Sequence, residues 1–183
     1  IMTYPVFTTG QGRIVDFKNG VWQKNSYTGQ PLRFVNFAAL NNHSISCGVT
    51  SAIKNYLGVT DLSNNGNSAK ARHLTDKYVN FHGFPLNEDP PKEQVQLLGA
   101  EVSAFMKTVR KADLNITTAE WIGLASRTEP PVARTRAILA STDPVALDYH
   151  AMRYLLFANS GIAHHNPDSA KSPVCRYLAR CTA

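Results

Sequence analysis

The sequence predicts an α/β fold: a layered α/β sandwich with a mainly parallel central sheet and a peripheral β-hairpin near the N-terminus. Two observations predict the sandwich, since strand-like segments alternate with amphipathic helical segments and no internal repeat is present. A third predicts the hairpin, because Asn19-Gly20 stands between two short segments of alternating apolar and polar residues. With 43% hydrophobic and 17% charged residues, the chain is expected to form a single domain over residues 1–183.

The predicted strands are short and rich in β-branched and aromatic residues. The hairpin strands are expected within residues 12–25, on either side of the Asn-Gly turn. Three further strands are predicted at residues 32–37, 112–117 and 136–141. Because helical segments alternate with strands along the chain, we expect these strands to pair largely in parallel.

Four helices are predicted from apolar residues spaced three or four positions apart. The first, over residues 49–57, is expected to end at Gly58, and the second spans residues 92–111. The third, over residues 143–158, and the fourth, starting at Ser172, both begin with a capping side chain followed by proline. These two starts are the best-defined helix boundaries in the sequence.

Charge and cysteine content narrow the possible functions. The 19 Lys and Arg against 13 Asp and Glu give a net charge of +6, which favours an anionic partner without identifying one. No apolar run approaches the roughly 18 residues of a membrane span, so none is expected. The three cysteines Cys47, Cys175 and Cys181 are dispersed and no CxxCH motif is present. We therefore expect no iron–sulfur cluster and no covalent haem from this chain alone.

Two segments carry a family resemblance. The first comprises residues 36–43 (NFAALNNH) and 48–58 (GVTSAIKNYLG), and the second is residues 138–151 (ILASTDPVALDYHA). Together they resemble the DUF362 family of bacteria and archaea, a domain of unknown function. Its pattern is Leu-Lys-x-His, then Gly-Val-Thr-x-x-x-Lys-Asn-x-x-Gly, and later Ser-x-Asp-Pro-Val-Ala-x-Asp. This chain departs from the pattern at Asn41, which replaces the lysine.

The resemblance specifies no reaction. It implies a chain that lacks part of the family's N-terminal portion, as a fragment or a processed form. Some relatives carry ferredoxin-like cysteine clusters, which this chain lacks, and some carry twin-arginine export signals. The resemblance to exported relatives slightly favours a periplasmic location over a cytoplasmic one.

The first motif has the composition of an anion site at a strand-to-helix junction. A helix N-terminus favours negative charge, and Thr50 and Lys54 are four residues apart on one helical face. His43 lies just upstream, and Asn55 follows the lysine. These residues could bind phosphate or a carboxylate, with His43 as an alternative metal ligand, or they could be a structural histidine and a solvated lysine. Walker A and Gly-x-Gly-x-x-Gly spacings are absent.

The second motif supplies two acids with different expectations. Asp143 is predicted to be a helix N-cap. Asp148 is predicted either to form an ion pair with a base such as Lys54 or to act as a general base or metal carboxylate. We expect His43, Lys54 and Asp148 to converge as the catalytic group, in one concave region with Thr50 and Asn55. Arg134 or Arg136, whichever of the two faces the cleft, is expected to form a second cationic wall.

The sequence therefore leaves several functions open, including whether the protein is an enzyme. The first hypothesis is a protein that binds a small anionic ligand or a metal at the strand-to-helix site. The alternative is a non-catalytic accessory subunit of a redox or iron–sulfur assembly, and the weakest is an electrostatic nucleic-acid binder. His164-His165 is interpreted as a loop pair, since adjacent side chains on regular structure do not readily share a metal.

Overall fold

Three small β-sheets and a layer of helices make up the part of the chain that the computed structural model describes, residues 4–43, 47–59, 97–127 and 129–181. The protein is thus a mixed α/β protein. The strands, numbered in chain order, are β1 (Val6–Thr8), β2 (Ile14–Asp16), β3 (Gly20–Gln23), β4 (Ser26–Tyr27), β5 (Val35–Ala39), β6 (Asn41–Asn42), β7 (Val49–Thr50), β8 (Leu114–Gly123) and β9 (Val132–Ser141).

The predicted N-terminal hairpin is present and belongs to a four-stranded antiparallel meander in the order β1-β2-β3-β4. Asp16 closes the turn between β2 and β3. Its Oδ1 accepts hydrogen bonds from the backbone N–H groups of Lys18 (3.0 Å) and Asn19 (2.7 Å), and its Oδ2 accepts from the Tyr27 hydroxyl (2.9 Å). Several hydrogen bonds to one carboxylate fix the turn, and they lower the pKa of Asp16 against the opposing effect of burial.

The central sheet has the order β5-β8-β9, with β5 parallel to β8 and β8 antiparallel to β9. The described residues therefore do not contain the mainly parallel sheet that the sequence predicted. The physical reason is strand length, because β8 and β9 both extend beyond their predicted bounds and leave only residues 124–131 between them. A parallel crossover needs about a dozen residues or more, so this connection can only form a hairpin.

The helices lie along one face of the central sheet. They are α1 (Ala52–Asn55), α2 (Leu97–Thr108), α3 (Pro144–His150), α4 (Phe157–Ser160) and α5 (Pro173–Arg180).

Two of the helices differ from the sequence prediction. The first starts later than predicted, because Val49 belongs to β7, and it continues into a 3₁₀ turn (Tyr56–Val59) that contains Gly58. A π-helical segment (Ala151–Leu156) joins α3 to α4. Residues 92–96 of the predicted second helix lie outside the described residues.

The hydrophobic core fills the space between the sheet and the helices. Tyr56 and Phe105 are fully buried there, with ring centroids 5.9 Å apart. Helices α2 and α5 approach closely at Gly99, where a Cβ would lie 2.0 Å from the Tyr177 carbonyl oxygen. Only glycine permits this approach. No helix in the described part of the chain has the length and apolar character needed to cross a membrane.

Candidate functional site

The candidate site lies at the edge of the central sheet where the parallel strands β5 and β8 end. After β5 the chain forms the short β6-β7 ladder, in which Asn41 pairs with Thr50, and then enters α1. After β8 it enters the loop that carries Arg127. Loops that leave the carboxyl ends of parallel strands meet at one edge, and this is where α/β proteins usually bind ligands.

Two asparagines fasten the β6-β7 ladder to the loop after β8. The Asn41 Oδ1 accepts a hydrogen bond from the Gly123 backbone N–H (2.8 Å), and the Asn42 Nδ2 donates one to the Ala125 carbonyl (2.7 Å). Asn41 occupies the position of the lysine in the DUF362 pattern. This chain therefore has a hydrogen bond to the backbone of Gly123 where that pattern has a cation.

Lys54 and Arg127 are the cations of this edge. Lys54 is half-buried, and desolvation lowers the pKa of its ammonium group, with the nearby positive charge of Arg127 acting in the same direction. Among the described residues, neither side chain forms an ion pair. The edge therefore holds two cations in electrostatic contact with no described carboxylate bound to either.

His43 and Cys47 lie beside these cations. The His43 Nδ1 is 3.1 Å from the Cys47 Sγ, and the His43 backbone N–H donates to the Gly48 carbonyl (3.0 Å). Cys47 is fully buried, and burial raises the pKa of its thiol to about 11 although Lys54 acts in the opposite direction. The thiol is protonated at neutral pH, so it is a hydrogen-bonding neighbour of His43 and not an activated nucleophile.

Gly48 fixes the path of the chain between these residues and α1. Its φ is +76°, and a Cβ there would lie 2.7 Å from both the His164 carbonyl oxygen and the Val174 Cγ2. Any other residue at this position would be strained and would also displace neighbouring atoms.

Asp148 contacts the first motif in a way that the sequence did not predict. It is fully buried, and its Oδ1 and Oδ2 accept hydrogen bonds from the backbone N–H groups of Ala52 (2.8 Å) and Ile53 (2.9 Å). Burial raises the pKa of this carboxyl to about 6, against the opposing effect of hydrogen bonds from Ser51, Ile53 and Ala52. The helix N-terminus that was expected to bind a ligand anion is thus occupied by the protein's own carboxylate.

Two other predicted site residues, Asn55 and Asp143, have structural contacts. The Asn55 Nδ2 donates to the Asn36 Oδ1 (2.7 Å) and so joins α1 to β5. Asp143 is the N-cap of α3 and accepts from the backbone N–H groups of Val145 (2.8 Å) and Ala146 (3.2 Å). By contrast, the Thr50 Oγ1 is buried and has no hydrogen-bond partner among the described residues.

Arg134 is not brought to the candidate site. It lies on β9 with its side chain on the sheet face opposite the helices, where its Nε and Nη2 bind the Glu120 Oε1, each at 2.8 Å. Its guanidinium also lies over the Trp121 ring, 5.4 Å from the centroid. The predicted second cationic wall is therefore not formed by Arg134, and Arg127 is the arginine near Lys54.

His164 and His165 contact the β6-β7 ladder through the side chain of Asn42. The Asn42 Oδ1 is 2.7 Å from the His165 Nε2 and 3.2 Å from the His164 Nε2, and the His165 Nδ1 is 2.7 Å from the Ser160 Oγ. Burial lowers the pKa of His165 to about 4, so the ring is neutral near pH 7. No spacing in the sequence indicates this contact, because Asn42 and His165 are 123 positions apart.

No group of three or more His, Cys, Asp or Glu side chains in the described ranges is arranged to hold a metal ion. The fold and site thus define a mixed α/β protein with paired cations at the carboxyl edge of a parallel strand pair. The family model described as a domain of unknown function, DUF362, matches residues 30–153, more than half of the chain. The chain belongs to the DUF362 family.

The matched region contains both sequence motifs and excludes the N-terminal meander and α5. Comparison with curated proteins gave no match, and comparison with solved structures gave none either.

Proposed function

We propose that this protein binds a small anionic ligand, such as phosphate or a carboxylate, at the edge formed by Lys54, Arg127 and His43. The single observation that carries the proposal is the pair of cations without a described carboxylate partner. Keeping a partly desolvated ammonium group beside a second positive charge is unfavourable, and a bound anion would relieve that cost.

The neighbouring groups fit this proposal. Lys54 and Arg127 would supply the charge, and His43 would supply a ring N–H or a protonated imidazole beside them. The Thr50 Oγ1, which has no described partner, would supply a further hydroxyl if its side chain turns toward the ligand. Asp148 would position the site by holding α1 in place, and the contacts of its two oxygens favour this role over that of a general base. Asn55 would also act by anchoring α1 to β5.

Calorimetric titration of the full chain with inorganic phosphate and with succinate at low ionic strength tests the proposal. Lys54→Ala is expected to weaken binding at least tenfold, which follows from loss of a charge-assisted contact of about 1.5–3 kcal/mol. Lys107→Ala, which removes an exposed lysine of α2, is the matched control and should leave affinity unchanged. No binding of either anion, or an equal loss in both variants, would contradict the proposal.

The same titration separates anion binding from metal binding. If His43 serves as a metal ligand instead, Zn²⁺ should bind to the wild-type chain and not to His43→Ala. Lys54→Ala should then bind Zn²⁺ as tightly as the wild type or more tightly, because it removes a cation from the site.

A role as an accessory subunit is the second candidate, and one observation favours it. The central sheet exposes large apolar side chains on the face opposite the helices, among them Phe37 and Ile138. Exposed apolar patches of this kind mark interaction sites. A stoichiometric complex with an iron–sulfur protein, isolated from the natural source, would support this role over the ligand-binding one.

A further inference from the structure

The face of the central sheet that points away from the helices, called the outer face below, is unusually apolar for a surface. Its large apolar side chains come from all three strands: Val35, Phe37, Ile116, Trp121, Val132 and Ile138. Phe37 is 61% exposed and Ile138 is 74% exposed. A contiguous exposed patch of apolar side chains marks an interaction site.

The strand register makes the apolar side chains contiguous. Phe37 pairs with Ile116, which pairs with Ala140, so three apolar residues form one row across the sheet. The next row is Ala39, Thr118 and Ile138, and its one polar atom, the Thr118 Oγ1, donates to the Ala38 carbonyl (3.3 Å). The only polar side-chain atom of these two rows is already hydrogen-bonded, so covering their side chains would cost little in desolvation.

The charged groups of the outer face lie at one end. Glu120 is bound by Arg134, and Arg136 has no ion pair among the described residues. Both signs of charge are therefore present beside the apolar rows. When two copies meet with the same ends together, Arg136 of one copy can share the Glu120 carboxylate of the other, which Arg134 already binds from one side.

We propose that the outer face is the interface of a homodimer, in which two central sheets pack face to face about a twofold axis along β8. This axis places β9 of one copy over β5 of the other and brings the two charged ends together. Arg136 of each copy can then reach Glu120 of the other, while Phe37 and Ile138 are buried. The packing is that of two aligned sheets about 10 Å apart.

The size of the face sets the expected affinity. The ten-residue strands β8 and β9 and the five-residue strand β5, spaced about 4.8 Å apart and rising about 3.3 Å per residue, cover about 400 Å² per copy. Two copies bury about 800 Å² before side-chain relief is counted, which is below the usual size of specific, stable interfaces and in the range of weak ones. The dimer is accordingly concentration-dependent, with a dissociation constant on the order of 10 μM, and is not obligate.

Sedimentation velocity of the full chain from about 1 to about 200 μM tests the proposal across this range. The wild type is expected to shift from monomer to dimer, and Phe37→Asp and Ile138→Asp should each raise the dissociation constant more than tenfold. Phe7→Asp is the matched control, because Phe7 is 52% exposed on β1 of the separate N-terminal meander. Arg136→Glu should raise the dissociation constant severalfold, and more at low salt than at high salt.

A wild-type chain that stays monomeric at about 200 μM overturns the proposal and returns the outer face to the accessory-subunit alternative. A dimer that survives both Phe37→Asp and Ile138→Asp places the interface elsewhere, which also overturns it. An equal loss in Phe7→Asp indicates nonspecific association. Anion binding by Lys54 is measured separately, so either proposal can fail without the other.

Discussion

The two family motifs differ in how their charged groups are partnered. In the second motif, Asp143 and Asp148 each accept two backbone N–H groups at a helix start. In the first motif, Lys54 has no ion-pair partner among the described residues, and desolvation together with the positive charge of Arg127 lowers the pKa of its ammonium group. The second motif therefore shapes the first, because the buried carboxylate of Asp148 holds the start of the helix that carries Lys54.

Removing the Asp148 carboxylate should have the largest effect on the free energy of unfolding. Asp148→Ala leaves the N–H groups of Ala52 and Ile53 buried without an acceptor, and we expect a loss of about 3–5 kcal/mol in the free energy of unfolding. Urea denaturation followed by circular dichroism measures it. Asp143→Ala removes an exposed cap and should cost only about 1 kcal/mol. Equal losses in the two variants would show that burial does not distinguish the two acids.

The raised pKa of Asp148 predicts a pH dependence of stability. Between the ordinary value of 3.8 and about 6 in the folded state, the folded chain keeps a proton that the unfolded chain has lost. This group's contribution is therefore complete below pH 3.8 and declines as pH rises to about 6, by roughly 3 kcal/mol. Asp148→Asn should remove that decline. Equal pH dependence of the unfolding free energy in wild type and variant between pH 4 and pH 6 would refute it.

His165 should have the opposite pH dependence. Its folded pKa is lowered from 6.5 to about 4, so in this range the unfolded chain binds a proton that the folded chain does not. Stability from this group is present above pH 6.5 and is lost as pH falls toward 4, again by roughly 3 kcal/mol. In His165→Gln the acid-side loss should disappear, leaving the Asp148 trend exposed. If acidification destabilises the variant as much as the wild type, the ring is not the titrating group.

Restoring the lysine of the family pattern at position 41 should have the smallest effect on the free energy of unfolding. Asn41→Lys removes the hydrogen bond from Gly123 and should cost about 1 kcal/mol, measured by urea denaturation. It also adds a cation near Arg127, so phosphate affinity should rise severalfold at low salt in the same calorimetric titration. Asn41→Met, which has a similar stem and no charge, is the control for packing. Tighter binding in Asn41→Met would contradict the electrostatic explanation.

Local features of the fold could be predicted from the sequence, and long-range ones could not. The caps at Asp143 and Ser172 are visible because the capping side chain and the proline are adjacent in sequence. The direction of β9 depends on where β8 ends, which a propensity pattern does not resolve. The role of Asp148 depends on backbone groups 95 and 96 positions away. A resemblance identified the motif, but only the fold shows which charge is already satisfied.

The close packing around Gly48 has a consequence for the order in which the protein folds. The residues of the candidate site precede α5 in the chain, yet the turn that holds them is closed by the His164 carbonyl and by Val174 of α5. The first motif therefore cannot reach its final shape until α5 has left the ribosome and docked. A chain cut at residue 153, where the family match ends, would contain every motif residue and still lack the wall against which the site is built.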